Sequence, residues 1–239
     1  SSITTGNSGG APVPRSLLDK FLAKGVTIRQ QYGTSEACGA ITSPEEDLAQ
    51  RCPESAGHPL PSFDIDIRDE AGNPLPHGQE GEIYLRSPQM MQGYWRNPDA
   101  NAAAFTADGW YRTGDLGRYD AELGLFVLDR KKNMLITGGV NVYPAEVERA
   151  ISTLAGVEEV AVFGMPSEAW GDEVVAIIHG PSLKDAQALI PHIRDLVGGY
   201  KTPRRILLSP TPLPRTASAK IQRAGLRDLF SQLAGEAVA

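Results

Sequence analysis

The sequence predicts an α/β segment, then an antiparallel β region, then an α+β C-terminal part. Three observations carry this. Residues 1–33 read strand, glycine-rich turn, helix, strand. Residues 55–128 alternate apolar and polar side chains in two long pairs joined by turns. After Asp129, helical periodicity returns between short apolar strands.

Taken in order, "SSITTGNSGGAP" is a short strand running into a glycine-rich turn. Pro14 opens a helix with Leu17, Leu18, Phe21 and Leu22 on one face, and Gly25 ends it. "VTIRQQYG" is a strand ending in a loop. "FDIDIRDEAGNPLPHGQEGEIYLRS" is two strands around a long turn, and "WYRTGDLGRYDAELGLFVLDR" repeats the pattern with a shorter one. Together they predict an antiparallel sheet or a small barrel. "KNMLITGGVNVYP" is a strand, a Gly-Gly turn and a return. Pro144 begins a helix with Val147, Ile151 and Leu154 on one face and Gly156 at its end. The strands "VEEVAVFG" and "EVVAIIHG" follow, then a helical stretch over 183–198 interrupted or kinked by Pro191. "RRILLS" is a strand and "RAGLRDLFSQLAG" a last helix. The boundary between the two parts is expected at Asp129–Arg130.

The chain has 239 residues, enough for one large domain or two ordinary ones. Hydrophobic residues make up 41% and charged residues 22%, the balance of a soluble globular protein. Net charge is −6 and the basic residues are scattered, so no nucleic-acid partner is expected. No run of 18 apolar residues predicts a membrane span, and no leader pattern opens the sequence. Cys38 and Cys52 lack metal-site spacing and read as reduced thiols in a cytoplasmic setting.

Four stretches carry candidate chemistry, and each alone also fits an ordinary structural role. "QQYGTSEACG" is a loop after a strand. Its Tyr32 can stack on a planar base, its hydroxyls can donate to phosphate, and Glu36 can bind Mg²⁺; it also fits a plain polar loop. In "GWYRTGDLG", Asp115 can accept from two ribose hydroxyls, or simply form an Asx turn. "LDRKKNMLITGGVNVYPAEVE" places Arg130 within reach of a ribose or phosphate and offers close backbone approach at Gly138-Gly139; it also fits a hairpin with a basic patch. In "LPRTASAKIQR", Lys220 can act as a point charge on a phosphoryl oxygen or carboxylate, or be a solvated lysine. "SITTGNSGGAP" fits neither GxxxxGK[ST] nor GxGxxG and is not read as a phosphate loop.

Together and in this order, "GGAP" (9–12), "YGTSE" (32–36), "GEIYLRSPQMMQGYW" (81–95), "YRTGD" (111–115), "DRKKNMLITGGVNVYPAEVE" (129–148), "YKTPR" (200–204) and "PRTASAKIQR" (214–223) resemble the AMP-forming adenylating enzymes. Those are the acyl- and aryl-CoA synthetases, firefly luciferase and the adenylation domains of peptide synthetases. "GGVNVYPAEVE" is more similar to the CoA ligases. The resemblance implies the end of an α/β subdomain (1–55), a distorted antiparallel β-barrel (56–128) and a small mobile α+β domain (129–239). It implies adenylation of a small carboxylic acid with ATP and Mg²⁺, then thioester formation with CoA.

Carried over residue by residue, the resemblance puts Gly10, Ala11 and Pro12 along the adenine with Tyr32 stacked against it, and Gly33 in the same nucleotide loop. Thr34 and Ser35 would contact phosphate or the acyl carboxylate, and Glu36 would hold Mg²⁺. Asp115 would bind the ribose, assisted by Arg130. Asp129 would be the hinge, Gly138 and Gly139 would border the pantetheine tunnel, and Asn141 would lie near the phosphoryl site. Lys220 would be the adenylation lysine. Ser35 stands where the family has threonine, which keeps the hydroxyl. Ala219 stands where it has glycine, at a cost of about 1 kcal/mol if the position needs a positive φ. The family's phosphate loop, with its own lysine, is expected upstream of "GGAP" and is not among these residues. The chain by itself is therefore expected to fold at least over 129–239 but to form no adenylate. Exposed apolar surface on residues 1–55 is expected to favour self-association. The alternatives are a non-catalytic relative and a module that loads a carrier protein.

Overall fold

The computed structural model describes residues 3–217 and 220–236. Two compact units divide between Lys132 and Asn133. The boundary expected at Asp129 therefore falls a few residues early. Asp129 and Arg130 are still strand residues, and the first unit ends only after the chain leaves its sheet.

The first unit contains β1 (Thr5–Gly9), α1 (Arg15–Leu22), β2 (Thr27–Gln31), β3 (Gly33–Thr34), β4 (Gly39–Ala40), β5 (Thr42–Ser43), α2 (Glu46–Arg51), β6 (His58–Pro59), β7 (Asp64–Arg68), β8 (Glu80–Arg86), α3 (Pro98–Ala104), β9 (Tyr111–Asp120) and β10 (Gly124–Arg130). β1 and β2 pair in parallel, Thr5 opposite Thr27 through Gly9 opposite Gln31. Their C-terminal ends lie side by side, so the "GGAP" and "YGTSE" loops leave the same edge. Gly25, at φ +73°, ends α1, and the Val26 N–H returns to the Phe21 carbonyl. Leu18 is buried, but Leu17, Phe21 and Leu22 remain about 40% exposed, as expected for an α1 face without a full partner. The periodicity gave no sign of α2 or α3. The signal for α3 lay in "RNPDA": the Asn97 side chain accepts the Ala100 N–H at 3.1 Å and Pro98 occupies the first turn.

Strands β7 to β10 form one antiparallel sheet in the order β10-β9-β8-β7. The expected barrel is not closed. Each edge is taken by a nearby segment: the Ala56 N–H donates to the Leu125 carbonyl, and the Leu75 N–H to the Ile67 carbonyl. With both edges occupied locally, β7 and β10 do not meet. Gly124 must be glycine at the first contact, because a Cβ there would stand 2.3 Å from the Gly57 carbonyl oxygen.

The second unit contains β11 (Leu135–Thr137), β12 (Val140–Val142), α4 (Pro144–Ile151), β13 (Glu159–Ser167), β14 (Gly171–His179), α5 (Ile190–Val197), β15 (Arg205–Ser209) and α6 (Leu226–Glu236). β13 and β14 are antiparallel, β15 joins β14 in parallel, and β11 links β14 to β12. Both sheet faces are buried. Val160, Val162, Val174, Ala176 and Ile178 point to one core with Val147, Ile151 and Ile193. The alternate residues Ala161, Phe163, Val175 and Ile177 point to the other, with Leu226 and Phe230. This explains why β13 and β14 read as near-continuous apolar runs. Pro191 does not kink a helix. It sits in the first turn of α5, where its missing N–H costs nothing.

Phe230 is 1% exposed and meets Phe163 edge-to-face at 5.8 Å. Phe230→Ala is expected to destabilise the second unit by about 3–5 kcal/mol through the cavity it leaves. Calorimetry should show one transition lowered and the first unit's melting unchanged.

Candidate active site

The first unit gathers its polar residues on β9. Between β8 and β9 the register shifts, so that Thr113, Gly114 and Asp115 face the single residue Ile83. The Thr113 hydroxyl donates to the Ile83 carbonyl at 2.7 Å and accepts the Asp115 N–H at 3.0 Å. Gly114 turns through φ +69°, a conformation open to glycine. The bulge thus re-aims Asp115 out of the strand alternation. A second register shift brings Arg130 directly opposite Asp115.

The Asp115 carboxylate is buried and held from two sides. The Tyr32 hydroxyl donates to Oδ2 at 2.7 Å, and the Arg130 guanidinium pairs with Oδ1, its Nε 2.7 Å away. Burial pushes the Asp115 carboxyl above its ordinary value against the pull of Tyr32 and Arg130, with Glu36 and Asp129 adding to the rise. Burial and the adjoining Asp115 charge push the Tyr32 phenol well up, so it stays a donor. Each carboxylate oxygen keeps a second lone pair for a ligand hydroxyl. Tyr32 was expected to stack on a base, but it is only 9% exposed and packs in the core of the first unit. Its contact with Asp115 is through the hydroxyl.

Beside this pair stands Glu36, on the short turn Ser35–Ala37 after β3. Its Oε1 accepts the Tyr94 hydroxyl at 3.1 Å, and the Tyr94 oxygen lies 3.2 Å from the Tyr111 hydroxyl. Its second oxygen accepts no hydrogen bond among the described residues. Thr34 Oγ1 is buried and has no hydrogen-bond partner among them. Such an orphan is costly unless a ligand satisfies it. Gly33 is sterically required, because a Cβ there would stand 2.1 Å from the Gly39 carbonyl oxygen. No cluster of three or more metal-binding side chains occurs among the described residues. One carboxylate with a nearby orphan hydroxyl fits Mg²⁺, which is commonly bound by one or two carboxylates plus substrate phosphates.

The remaining first-unit candidates are Gly10, Ala11, Pro12 and Ser35, all exposed in the loops beyond β1 and β3. The Gly10–Pro12 loop is tied down where the Val13 N–H donates to Gln30 Oε1 at 2.7 Å. Asp129 is buried in β10 opposite Leu116 and accepts the Arg130 N–H at 2.7 Å. Glu82 was not singled out from the sequence. It accepts the Gly114 N–H at 3.2 Å and the Lys131 ammonium at 3.1 Å, fastening the Asp115 turn to the end of β10.

The second unit holds Gly138, Gly139, Asn141 and Lys220. Gly138 and Gly139, at φ +56° and +80°, make the tight turn between β11 and β12, and Asn141 is exposed on β12. Lys220 lies at the neck of a hairpin. Arg215 bridges Ile221, the Thr216 N–H donates to the Lys220 carbonyl at 2.8 Å, and the Gln222 N–H to the Pro214 carbonyl at 2.7 Å. Glu159 anchors the base through the Leu213 N–H and Arg215, both at 2.6 Å. The Lys220 side chain is exposed. Ala219, the departure from the family pattern, lies outside the described residues.

Residues 1–95 match the AMP-binding enzyme family, and residues 146–220 match the AMP-binding enzyme C-terminal domain. The chain belongs to the AMP-binding enzymes. It is 37% identical over 225 residues to the long-chain-fatty-acid–CoA ligase FadD13 of Mycobacterium tuberculosis, covering 94% of this chain and 44% of that one. It is 38% identical over 235 residues to a feruloyl-CoA synthase of Amycolatopsis sp, covering 96% and 47%. Among solved structures it superposes on the o-succinylbenzoate CoA synthetase of Bacillus subtilis in complex with the acyl-adenylate intermediate OSB-AMP. There the TM-score is 0.88 and the identity 35%, covering 95% of this chain and 46% of that one. The same enzyme in complex with ATP and magnesium ion gives a TM-score of 0.86, at 34% identity, covering 94% and 46%. The chain thus spans less than half the length of these acid–CoA ligases. No helix of the described residues is long and apolar enough to cross a membrane.

The raised Asp115 carboxyl makes a prediction. Its protonated form favours the folded state, and that contribution is full below 3.8 and is lost as pH rises through the raised value. Asp115→Asn removes the buried charge while the amide oxygen stays beside the Arg130 guanidinium and the Tyr32 hydroxyl turns to accept from the amide nitrogen. At pH 7, without ligand, this variant is expected to melt at or above the temperature of the unmodified chain. The difference should shrink as pH falls to about 4. A melting temperature several degrees lower at pH 7 contradicts the account.

Proposed function

We propose that this chain carries the ribose-binding carboxylate and the adenylation lysine of an ATP-dependent carboxylic acid:CoA ligase. The observation that carries the reading is the buried Asp115, clamped by Tyr32 and Arg130 beside Glu36 and the unpartnered Thr34 hydroxyl. A buried charge is expensive to keep without use. An acceptor-only carboxylate with spare lone pairs is suited to two vicinal ribose hydroxyls.

In this reading the acid carboxylate attacks the α-phosphorus of ATP. The bond to pyrophosphate breaks and acyl-AMP forms. The CoA thiolate then displaces AMP at the acyl carbon. The chain's side chains supply position and charge, with no nucleophile of their own. Asp115 and Arg130 hold the ribose, Gly10 to Pro12 and Gly33 border the base, and Thr34 and Ser35 donate to phosphate or the acyl carboxylate. Glu36 would hold Mg²⁺, which supplies neutralising charge at the phosphates. Lys220 meets the carboxylate and α-phosphate at the first transition state. Asn141 stands near the phosphoryl group, and Gly138 and Gly139 leave room for pantetheine. The pivot assigned from the sequence to Asp129 is better served by the residues just after it, because Asp129 is buried in β10 and the two units part after Lys132. Two free cysteines suit a reducing, cytoplasmic compartment.

Calorimetric binding of AMP to the chain tests the nucleotide site. AMP is expected to bind, and Asp115→Asn to weaken it by about 10- to 100-fold, the worth of one or two hydrogen bonds to a charge. An unmodified chain that ignores AMP refutes the reading.

Lys220 and the pivot are tested in a catalytically complete ligase carrying these residues. Lys220→Ala should slow adenylate formation by roughly 10²-fold, while thioester formation from preformed acyl-adenylate changes far less. Equal loss in both half-reactions removes Lys220 from its role. Lys132→Pro, which fixes φ where the units part, should impair one half-reaction and spare the other. Asp129→Pro should instead lower the first unit's melting temperature by disrupting β10.

A further inference from the structure

Glu36 does not set its own orientation. It stands on a three-residue turn between two-residue strands, where little secondary structure holds a side chain. The segment Met91–Tyr94 holds it twice. The Met91 N–H donates to the Glu36 carbonyl at 2.7 Å, and the Tyr94 hydroxyl donates to Glu36 Oε1 at 3.1 Å. Tyr94 is itself clamped by one amide side chain on α3. Its N–H donates to Asn101 Oδ1 at 2.6 Å, and Asn101 Nδ2 donates to its carbonyl at 3.1 Å.

The proton directions follow from counting. An ionised carboxylate only accepts, so the single phenol proton of Tyr94 goes to Glu36. Tyr111, 3.2 Å away, must then donate to the Tyr94 oxygen. Tyr111 is 4% exposed and its ring packs against Phe105, so this donor is fixed. The chain of donation runs Tyr111 to Tyr94 to Glu36. It occupies one carboxylate oxygen and leaves the other open.

We infer that Tyr94 is a positioning residue for the divalent cation: it fixes the Glu36 carboxylate through Oε1, with Tyr111 donating to the Tyr94 oxygen, so that the other oxygen is presented to the metal of the nucleotide complex. The inference rests on the functional reading above, in which Glu36 is the metal ligand. Hydrogen bonds that orient a ligating carboxylate are typically worth 10- to 100-fold in metal affinity.

The test uses Mn²⁺ as a paramagnetic probe, with free Mn²⁺ measured by electron paramagnetic resonance in the presence of ATP. AMP affinity without metal is measured in parallel. Tyr94→Phe is expected to weaken Mn²⁺ binding by about tenfold or more and leave AMP affinity unchanged. Tyr111→Phe removes only the donor to the Tyr94 oxygen and leaves the Tyr94 proton on Glu36, so it should weaken binding less. In a Glu36→Gln background, Tyr94→Phe should have no further effect, because it acts through that carboxylate. AMP binding by the unmodified chain stands or falls with the nucleotide site; the Mn²⁺ comparison concerns Tyr94 alone. Unchanged Mn²⁺ affinity in Tyr94→Phe overturns the inference. So does a parallel loss of AMP affinity, an additive effect on the Glu36→Gln background, or no Mn²⁺ binding by the unmodified chain with ATP. If Tyr94→Phe fails to fold, Asn101→Ala, which releases the clamp on the Tyr94 backbone, carries the same comparison.

Discussion

Asp115 is out of water with both carboxylate oxygens engaged, one by Tyr32 and one by Arg130. Desolvating an ion costs several kcal/mol, and the cost is met only when geometry and hydrogen bonds are good. That requirement interlocks three separate parts of the first unit. Tyr32 must arrive from the end of β2, Arg130 from the end of β10, and Asp115 from a bulge in β9. A register slip of one residue in β10 would turn Arg130 to the other face and leave a buried charge unpaired. The register shifts on both sides of β9 are thus part of the site.

The neighbouring Glu36 is held differently. It is half-buried, and its orientation is lent by Tyr94, Tyr111 and Asn101. Asp115 and Glu36 form two anionic positions a short way apart, each with its own donors. Glu36 is one of the charges that raise Asp115.

The second unit solves another problem. Its sheet is buried on both faces, so its core needs nothing from outside to close. From that base it carries Lys220 on a hairpin with the side chain exposed, anchored at its foot by Glu159. The bonded neck of that hairpin leaves the Lys220 ammonium in water.

Much of this was legible in local pattern. Period-two alternation marked β7 to β10, and 3.6-residue periodicity with Pro144 and Gly156 marked α4. The spaced motifs marked Asp115, Arg130, Glu36 and Lys220. Each of these depends on residues within a few positions of one another. What pattern could not contain was pairing at a distance. Tyr32 and Asp115 are 83 residues apart, and Glu36 and Tyr94 are 58 apart. Tyr94 and Tyr111 stood inside the quoted motifs "GYW" and "YRTGD" without a role, because a tyrosine at a strand end reads the same whether its hydroxyl meets water or a carboxylate. Pro191 looked like a kink until the start of α5 was known, and the sheet read as a barrel until its edges were seen to be bonded to Ala56 and Leu75. By itself the sequence determined which faces are apolar and which side chains are chemically able. Only the tertiary structure decided which of them meet, because a hydrogen bond is set by distance in space and periodicity reports only distance along the chain.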